Sequence, residues 1–436
     1  MNEYDEELIE AEASAVIDLP VPHADQLRIF NNRARFNRVR CGRRYGKTLM
    51  GEMLACEYAL EGKRVGWFVP QYKILAEAFS EISDLLHEVK VSASKIDGIF
   101  HVEGGGRIDF WTLENERAGR SRKYHRVIID EAAFTKNNML HIWNTSIKPT
   151  LLDYGGDCWV LSTPNGIDEE NFFYRIGEDS SLGFKDHHAP THANPYLPQE
   201  ELEKLERENH PLVYKQEYLA EFVDWAGQAF FSIDKLLENE LPVSYPEKAT
   251  GVFAVMDTAV KGGTEHDGTA IIYFALNKYY GHPLVILDYD VLQIDGALLE
   301  AYIPNVFLRL EELAKLTTAR HGDVGLFIED ASTGAILLQQ GRTRGWNTRP
   351  IDSKLTSVGK DERAISISGH FHQGKVKISQ FAFDKVVTFK NTTRNHLLTQ
   401  VTNFRIGDKD AHKRADDLLD CFTYGIAIGV GDKYGY

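Results

Sequence analysis

The chain is poor in several things, and each shortage narrows what it can be. Only 4 of its 436 residues are cysteine: Cys41, Cys56, Cys158 and Cys421. They form no CxxC pair and no zinc-ligand spacing, which points to free thiols in a reducing compartment. No apolar run approaches the ~18 residues that a membrane span needs. The basic start of a signal peptide is missing, because Glu3, Asp5, Glu6, Glu7, Glu10 and Glu12 make the N-terminus acidic. Basic charge is short overall. A net charge of −15 argues against a general nucleic-acid coat, although not against a local basic track. Internal repeats and low-complexity tracts are absent.

What is present suits a large folded enzyme. Hydrophobic residues make up 43% of a chain long enough for two or three domains. Residues 1–24 form an acidic lead-in. In 25–225 short apolar runs at 65–69, 127–129 and 159–161 read as buried strands. Between the first two, 72–89 has helical period through Ile74, Leu75, Ala78, Phe79, Ile82, Leu85 and Leu86. Strand–helix alternation predicts a mostly parallel sheet covered on both faces. Residues 166–225 read as more helical and polar, with a charged helix over 199–210. Residues 226–247, with Pro242 and Pro246, are the expected linker. A second α/β pattern fills 248–436. Strands are expected at 252–256, 269–276, 283–289 and 324–328, the first two as a hairpin, with helices over 297–316 and 415–430. That order predicts a mixed sheet.

The segment Cys41–Thr48, CGRRYGKT, carries the strongest chemical signal. It lies between an apolar strand and a helical run, the setting of a phosphate-binding loop. Gly42, Arg43, Arg44 and Gly46 would lend backbone N–H groups, Lys47 would reach the β/γ-phosphates, and Thr48 would ligate Mg²⁺. Cys41 stands where the first loop glycine is usual. About eighty residues later a buried strand ends in Asp130 and Glu131, suited to hold Mg²⁺ and to polarise an attacking water. Ser162 and Thr163 end the next strand and could sense a terminal phosphate. Gln26 could read an adenine edge. Arg120, Arg43 and Arg44 compete as the arginine that stabilises a transition state. Arg28, Arg33, Arg35, Arg38, Arg40, Arg43, Arg44 and Lys47 run without an acid among them. They form either a DNA track or partners for acids elsewhere.

Acids mark the second half. Asp257 ends one expected strand, Glu329 and Asp330 end another, and Asp416, Asp417 and Asp420 open the last helix. Asp417 and Asp420 share a helix face. Carboxylates brought together require a cation, and oxygen-only ligands suit Mg²⁺ or Mn²⁺. Two such ions can clamp a phosphodiester, so the pattern points to a metal-dependent nuclease. His266, Asp267 and His412 are further candidates.

Taken together, Gln26, the loop 42–48, Ile128–Ala132 and Ser162–Pro164 resemble the adenine-contacting glutamine, the deviant Walker A loop, Walker B and the coupling motif of the large terminase subunits of tailed bacteriophages. Asp257, 328–334 and 416–420 resemble the three acidic motifs of that family's nuclease. The resemblance implies a P-loop ATPase domain of the RecA/ASCE type followed by a ribonuclease H-like nuclease domain. Within it, Glu329 is favoured over Asp330, and Asp417 and Asp420 compete. It also implies ATP with Mg²⁺, a two-metal Mg²⁺ or Mn²⁺ nuclease, and translocation of double-stranded DNA into a procapsid. The implied partners are a small terminase subunit and a portal protein. A pentameric ring is expected on the procapsid in the host cytoplasm, with any portal-binding tail short or absent. A helicase-like or repair ATPase-nuclease and an ATP-gated assembly adaptor are the alternatives.

Overall fold

The computed structural model describes residues 17, 19–136, 138–225, 229–258, 268–279, 281–294, 296–408 and 416–431. His266, Asp267 and His412 lie outside these residues. The chain divides into two compact units, Met1–Leu202 with Leu212–Asp224, and Glu203–Pro211 with Trp225–Tyr436. No helix among the described residues is long and apolar enough to cross a membrane.

The first unit is built on eight strands: β1 Phe36–Cys41, β2 Arg64–Val69, β3 Lys90–Ser94, β4 Ile99–Val102, β5 Arg107–Thr112, β6 Arg126–Asp130, β7 Asp157–Ser162 and β8 Phe184–Ala189. Their order is β3-β4-β5-β2-β6-β7-β1-β8. From β5 to β8 every pairing is parallel, while β3 and β4 add an antiparallel edge. The parallel strands are apolar on both faces because helices cover both. Val39, Cys41, Ile128 and Leu161 pack under helix Lys47–Leu60, and Val127, Ile129 and Val160 pack on the opposite face. Alternation along β6 therefore puts Asp130 on the face of Ile128, beneath that helix.

Strand β8 lies in the stretch expected to be helical. Its sequence, Phe-Lys-Asp-His-His-Ala, has no apolar run, and what makes it a strand is pairing with β1, Phe36 opposite Phe184. Buried His187 bonds Asn37 at 3.1 Å. The basic run beginning at Arg28 is mostly paired. Arg38 and Arg40 meet Asp186 at 2.7 and 2.9 Å, Arg28 meets Asp25, and Arg43 meets Glu217. Arg38, Arg40 and Arg43 thus serve as partners for distant acids, one of the two roles expected of the run.

The second unit holds β9 Gly251–Asp257, β10 Thr269–Leu276, β11 Leu284–Leu292, β12 Asp323–Ile328, β13 Thr348–Pro350 and β14 Val376–Ile378, in the order β13-β12-β9-β10-β11-β14. Strands β9, β10 and β11 form an antiparallel meander, and β12 then pairs parallel with β9. Three antiparallel strands continued by parallel ones on the far side of the first is the ribonuclease H arrangement. β15 Val387–Phe389 and β16 Thr392–Arg394 form a separate hairpin.

Val252, Ala254 and Met256 face helix Gly296–Leu316, whose Leu299, Ile303, Val306 and Leu310 complete that core. Helix Asp417–Val430 covers β9 and β10 as well. It approaches so closely that a Cβ on Gly425 would lie 2.1 Å from the Phe274 ring.

The stretch expected as a linker is, where described, part of this unit. Phe230 and Phe231 are buried among Phe371, Phe404 and Phe422. Lys377 donates to the carbonyls of Lys235 and Leu237 at 3.0 and 2.7 Å. Two prolines and a run of polar residues hid this paired, aromatic strap.

Glu52, on helix Lys47–Leu60, is 2% exposed. Burial, and after it the carboxyl of Glu81, push its pKa up to about 9. Folded Glu52 therefore keeps a proton at neutral pH that the unfolded chain releases near the ordinary carboxylate value. The folded state binds more protons between those two values, so stability falls as pH rises through that window. Urea unfolding at about pH 5 and about pH 8 should show a loss of about 2–4 kcal/mol in wild type that Glu52→Gln lacks. Equal losses in both would remove the buried acid as the cause.

Candidate functional site

The phosphate-loop candidate leaves β1 at Cys41 and enters helix Lys47–Leu60. Its carbonyls are tied from outside. Thr191 Oγ1 donates to the Arg43 carbonyl at 2.7 Å and Asn194 Nδ2 to that of Arg44 at 2.8 Å. The His23 ring lies 3.2 Å from the Tyr45 carbonyl, and Gln26 Nε2 donates to that of Gly46 at 3.2 Å. The amides of Gly42 and Arg43, expected to face a phosphate, instead donate to the carbonyls of Ala189 and Glu217 at 2.9 and 2.7 Å, which leaves those of Arg44 and Gly46 with the helix N-terminus as the setting for an anion. Gly42 packs against the same support. A Cβ there would lie 2.4 Å from both Thr191 Oγ1 and the Tyr218 carbonyl.

Lys47 reaches from the loop to the acid pair. Its Nζ is 3.2 Å from Asp130 Oδ1 and 2.5 Å from Glu131 Oε1. Burial works against its charge, but Asp130 and Glu131 outweigh it and hold the ammonium above the ordinary lysine range. Thr48 Oγ1 donates to Asp130 Oδ2 at 3.3 Å. Glu131 sits at φ 53°, a left-handed conformation rare for a residue with a side chain, and its Oε2 is buried without a partner. Such strain and an orphaned oxygen are characteristic of functional positions. Ser162 Oγ accepts from the Ala133 amide at 3.1 Å, tying the end of β7 to the turn after Glu131. Arg43, Arg44, Lys47, Thr48, Glu131 and Thr163 line a cavity of about 630 Å³.

Two expected participants stand differently. Gln26 is buried, and both ends of its amide are used, since Oε1 accepts from the His23 backbone at 3.0 Å. Arg120 is exposed in the turn region after β5 and does not line the cavity.

In the second unit Asp257 ends β9 and pairs in register with Ala270. Burial, and then Asp420, Asp417 and Glu329, push its carboxyl well above the usual carboxylate range. Glu329 is raised by burial and Asp420, with Arg363, the Tyr424 hydroxyl and Lys360 opposing. The four acids therefore converge. Strand alternation separates the two residues of the Glu329–Asp330 pair. Leu326 and Ile328 face the core under helix Gly296–Leu316, so the next residue, Glu329, turns to the other face, while Asp330 is exposed. Asp417 and Asp420 are both buried, and Asp417 Oδ2 accepts from the Gly268 amide at 3.2 Å.

Two cations meet these acids. Lys360 Nζ lies 2.5 Å from Asp416 Oδ2 and 2.9 Å from Asp420 Oδ2, and Arg363 pairs with Asp420 Oδ1. Among the described residues no three His, Cys, Asp or Glu side chains already stand in metal-ligating geometry. The donor chemistry nonetheless fits a divalent cation, because the acids are oxygen-only, mutually repelling and partly neutralised by ammonium and guanidinium.

Sequence reasoning missed Lys360, Arg363, Thr191, Asn194 and Glu217. Lys360 and Arg363 stand three apart on one helix, a spacing that signals a shared face but not which acids lie opposite it.

No protein-family model matches the chain. It is 25% identical over 218 residues to the large terminase subunit of Escherichia phage T5, a match covering 48% of this chain. The chain spans about half the length of that curated relative, 50%. The large terminase of the thermophilic bacteriophage D6E superposes with a TM-score of 0.59 at 12% identity, covering 93% of this chain and 98% of that one. The same protein in complex with ATP-gamma-S superposes with a TM-score of 0.57 at 13% identity, covering 91% and 94%. The chain has the fold of a phage large terminase, as the resemblance of its motifs implied.

Gly42→Ala tests the packing of the loop. The added methyl has no room, so the variant should lose about 1–3 kcal/mol of stability in urea unfolding. An unchanged midpoint would mean that the loop does not rest on Thr191 and Tyr218 as described.

Proposed function

We propose that this chain is a viral genome-packaging motor. It hydrolyses ATP to drive double-stranded DNA into a procapsid, and it cuts concatemeric DNA with a metal-dependent nuclease. One observation carries the reading. A single chain of terminase fold gathers a phosphate-loop lysine with a strand-end acid pair in one unit, and four converging carboxylates in the other.

In the first unit the loop amides and Lys47 would bind the phosphates of ATP. Thr48 and Asp130 would hold Mg²⁺, which neutralises phosphate charge. As the Lys47 ammonium turns to the phosphates, Glu131 loses its partner and becomes free to take a proton from the attacking water. Arg43 and Arg44 line the cavity and can stabilise charge from within the chain. Arg120 would act on the site of a neighbouring subunit. Gln26 holds Gly46 in place, and its amide keeps one further N–H for an adenine edge. Ser162, bonded to the turn after Glu131, would pass the state of the terminal phosphate onward with Thr163.

In the second unit Asp257, Glu329, Asp417 and Asp420 would hold Mg²⁺ or Mn²⁺, which supply charge neutralisation and an activated water. Arg363 orients Asp420. DNA contacts would go to phosphates, since a packaging motor must accept every sequence. A portal protein and a small terminase subunit are the partners this reading requires, with the motor assembled as a ring on the procapsid.

Two variants separate the activities. Glu131→Gln should lower DNA-stimulated ATP turnover about 10²–10⁴-fold while ATP binding persists. Asp257→Ala should abolish cleavage of linear and supercoiled DNA with Mn²⁺ or Mg²⁺ and leave ATP turnover in place. Wild-type protein that turns over no ATP with DNA present would refute the motor reading.

A further inference from the structure

The two cations at the acid cluster differ in how they are held. Arg363 is built in, with its side chain 4% exposed. Its Nε donates to Thr423 Oγ1 at 2.9 Å and its Nη1 to the Tyr424 hydroxyl at 3.1 Å. The guanidinium also lies over the Tyr424 ring, 4.1 Å from the centroid. Lys360 is different. Its side chain is 42% exposed, and its ammonium bridges Asp416 and Asp420 at the mouth of the cluster. It also borders a cavity of about 420 Å³ that Lys390 and Arg394 line.

Both oxygens of Asp420 are thus taken, Oδ1 by Arg363 and Oδ2 by Lys360. An ammonium 2.9 Å from Asp420 Oδ2 repels a divalent cation approaching that oxygen and already neutralises part of the charge that would attract it.

We propose that Lys360 is a displaceable internal counter-ion that competes with the divalent cation for Asp420. Its ammonium keeps the acids together when no metal is bound, and its positive charge at Asp420 Oδ2 opposes a metal arriving there until it swings away. Arg363 stays and keeps Asp420 oriented in both states. The inference rests on the nuclease reading of the second unit. Its consequence is that metal affinity is set below what the carboxylates alone would give, and that anything drawing the ammonium away raises it.

The test is Mn²⁺ binding by isothermal titration calorimetry to the full chain without DNA, for wild type, Lys360→Met, Lys360→Gln and Asp257→Ala. Both Lys360 variants should bind Mn²⁺ about 10-fold more tightly than wild type. In EDTA they should melt at a lower temperature, because the acids have lost their counter-ion, and saturating Mn²⁺ should restore the melting temperature. Affinity unchanged or weaker in both Lys360 variants overturns the proposal. No Mn²⁺ binding by any of the four proteins overturns the nuclease reading instead.

Discussion

In each unit one lysine ammonium lies between two carboxylates, and the rest of the site depends on that neutralisation. Lys47 bridges Asp130 and Glu131, and Lys360 bridges Asp416 and Asp420. Acids collected at a sheet edge repel one another and lose hydration, and a nearby cation is what makes the cluster tolerable in a folded chain. The raised carboxyl of Asp257 is the residue of that conflict, opposed by Lys360.

The strands decide where the acids arrive. Asp130, Ser162, Asp257 and Ile328 all end strands, so the side chains that follow emerge at the carboxyl edges of their sheets, where open α/β folds place ligands. Parity then selects the face. In the first sheet β7 separates the loop strand from the strand of Asp130, yet Asp130 turns under the helix that carries Thr48. In the second sheet Asp257 and Glu329 turn away from helix Gly296–Leu316, toward the helix of Asp417 and Asp420. The close seating of Gly425 on Phe274 fixes the height of that helix.

Much of this was legible in the sequence, and the reasons are specific. The buried strands β2, β6, β7, β9 and β10 announce themselves by apolar runs, and the strand-end acids follow from those runs. Strand β8 did not, because the side chains it buries, among them His187 and Ala189, form no apolar run. The strap around Phe230 and Phe231 did not, because aromatic packing partners 140 and more residues away leave no local trace. The motif favoured Glu329 over Asp330, and strand parity supports that preference once the face that Ile328 takes is known. Gln26 was found, but only as an adenine reader. Its bond to Gly46 needed the tertiary contact between the N-terminal helix and the loop.

The two sites differ in readiness, and the difference follows from what pins them. The loop's carbonyls are fixed by Thr191, Asn194, His23 and Gln26, so its donors are oriented before any anion arrives, and binding costs little reorganisation. The acid cluster is fixed in the opposite sense, since both oxygens of Asp420 already meet cations. Under the proposed function that contrast is economical: ATP turnover recurs throughout packaging, whereas each genome is cut only at the start and the end. A site that must first surrender an ion pair is suited to the rare event, and a preformed cradle to the repeated one.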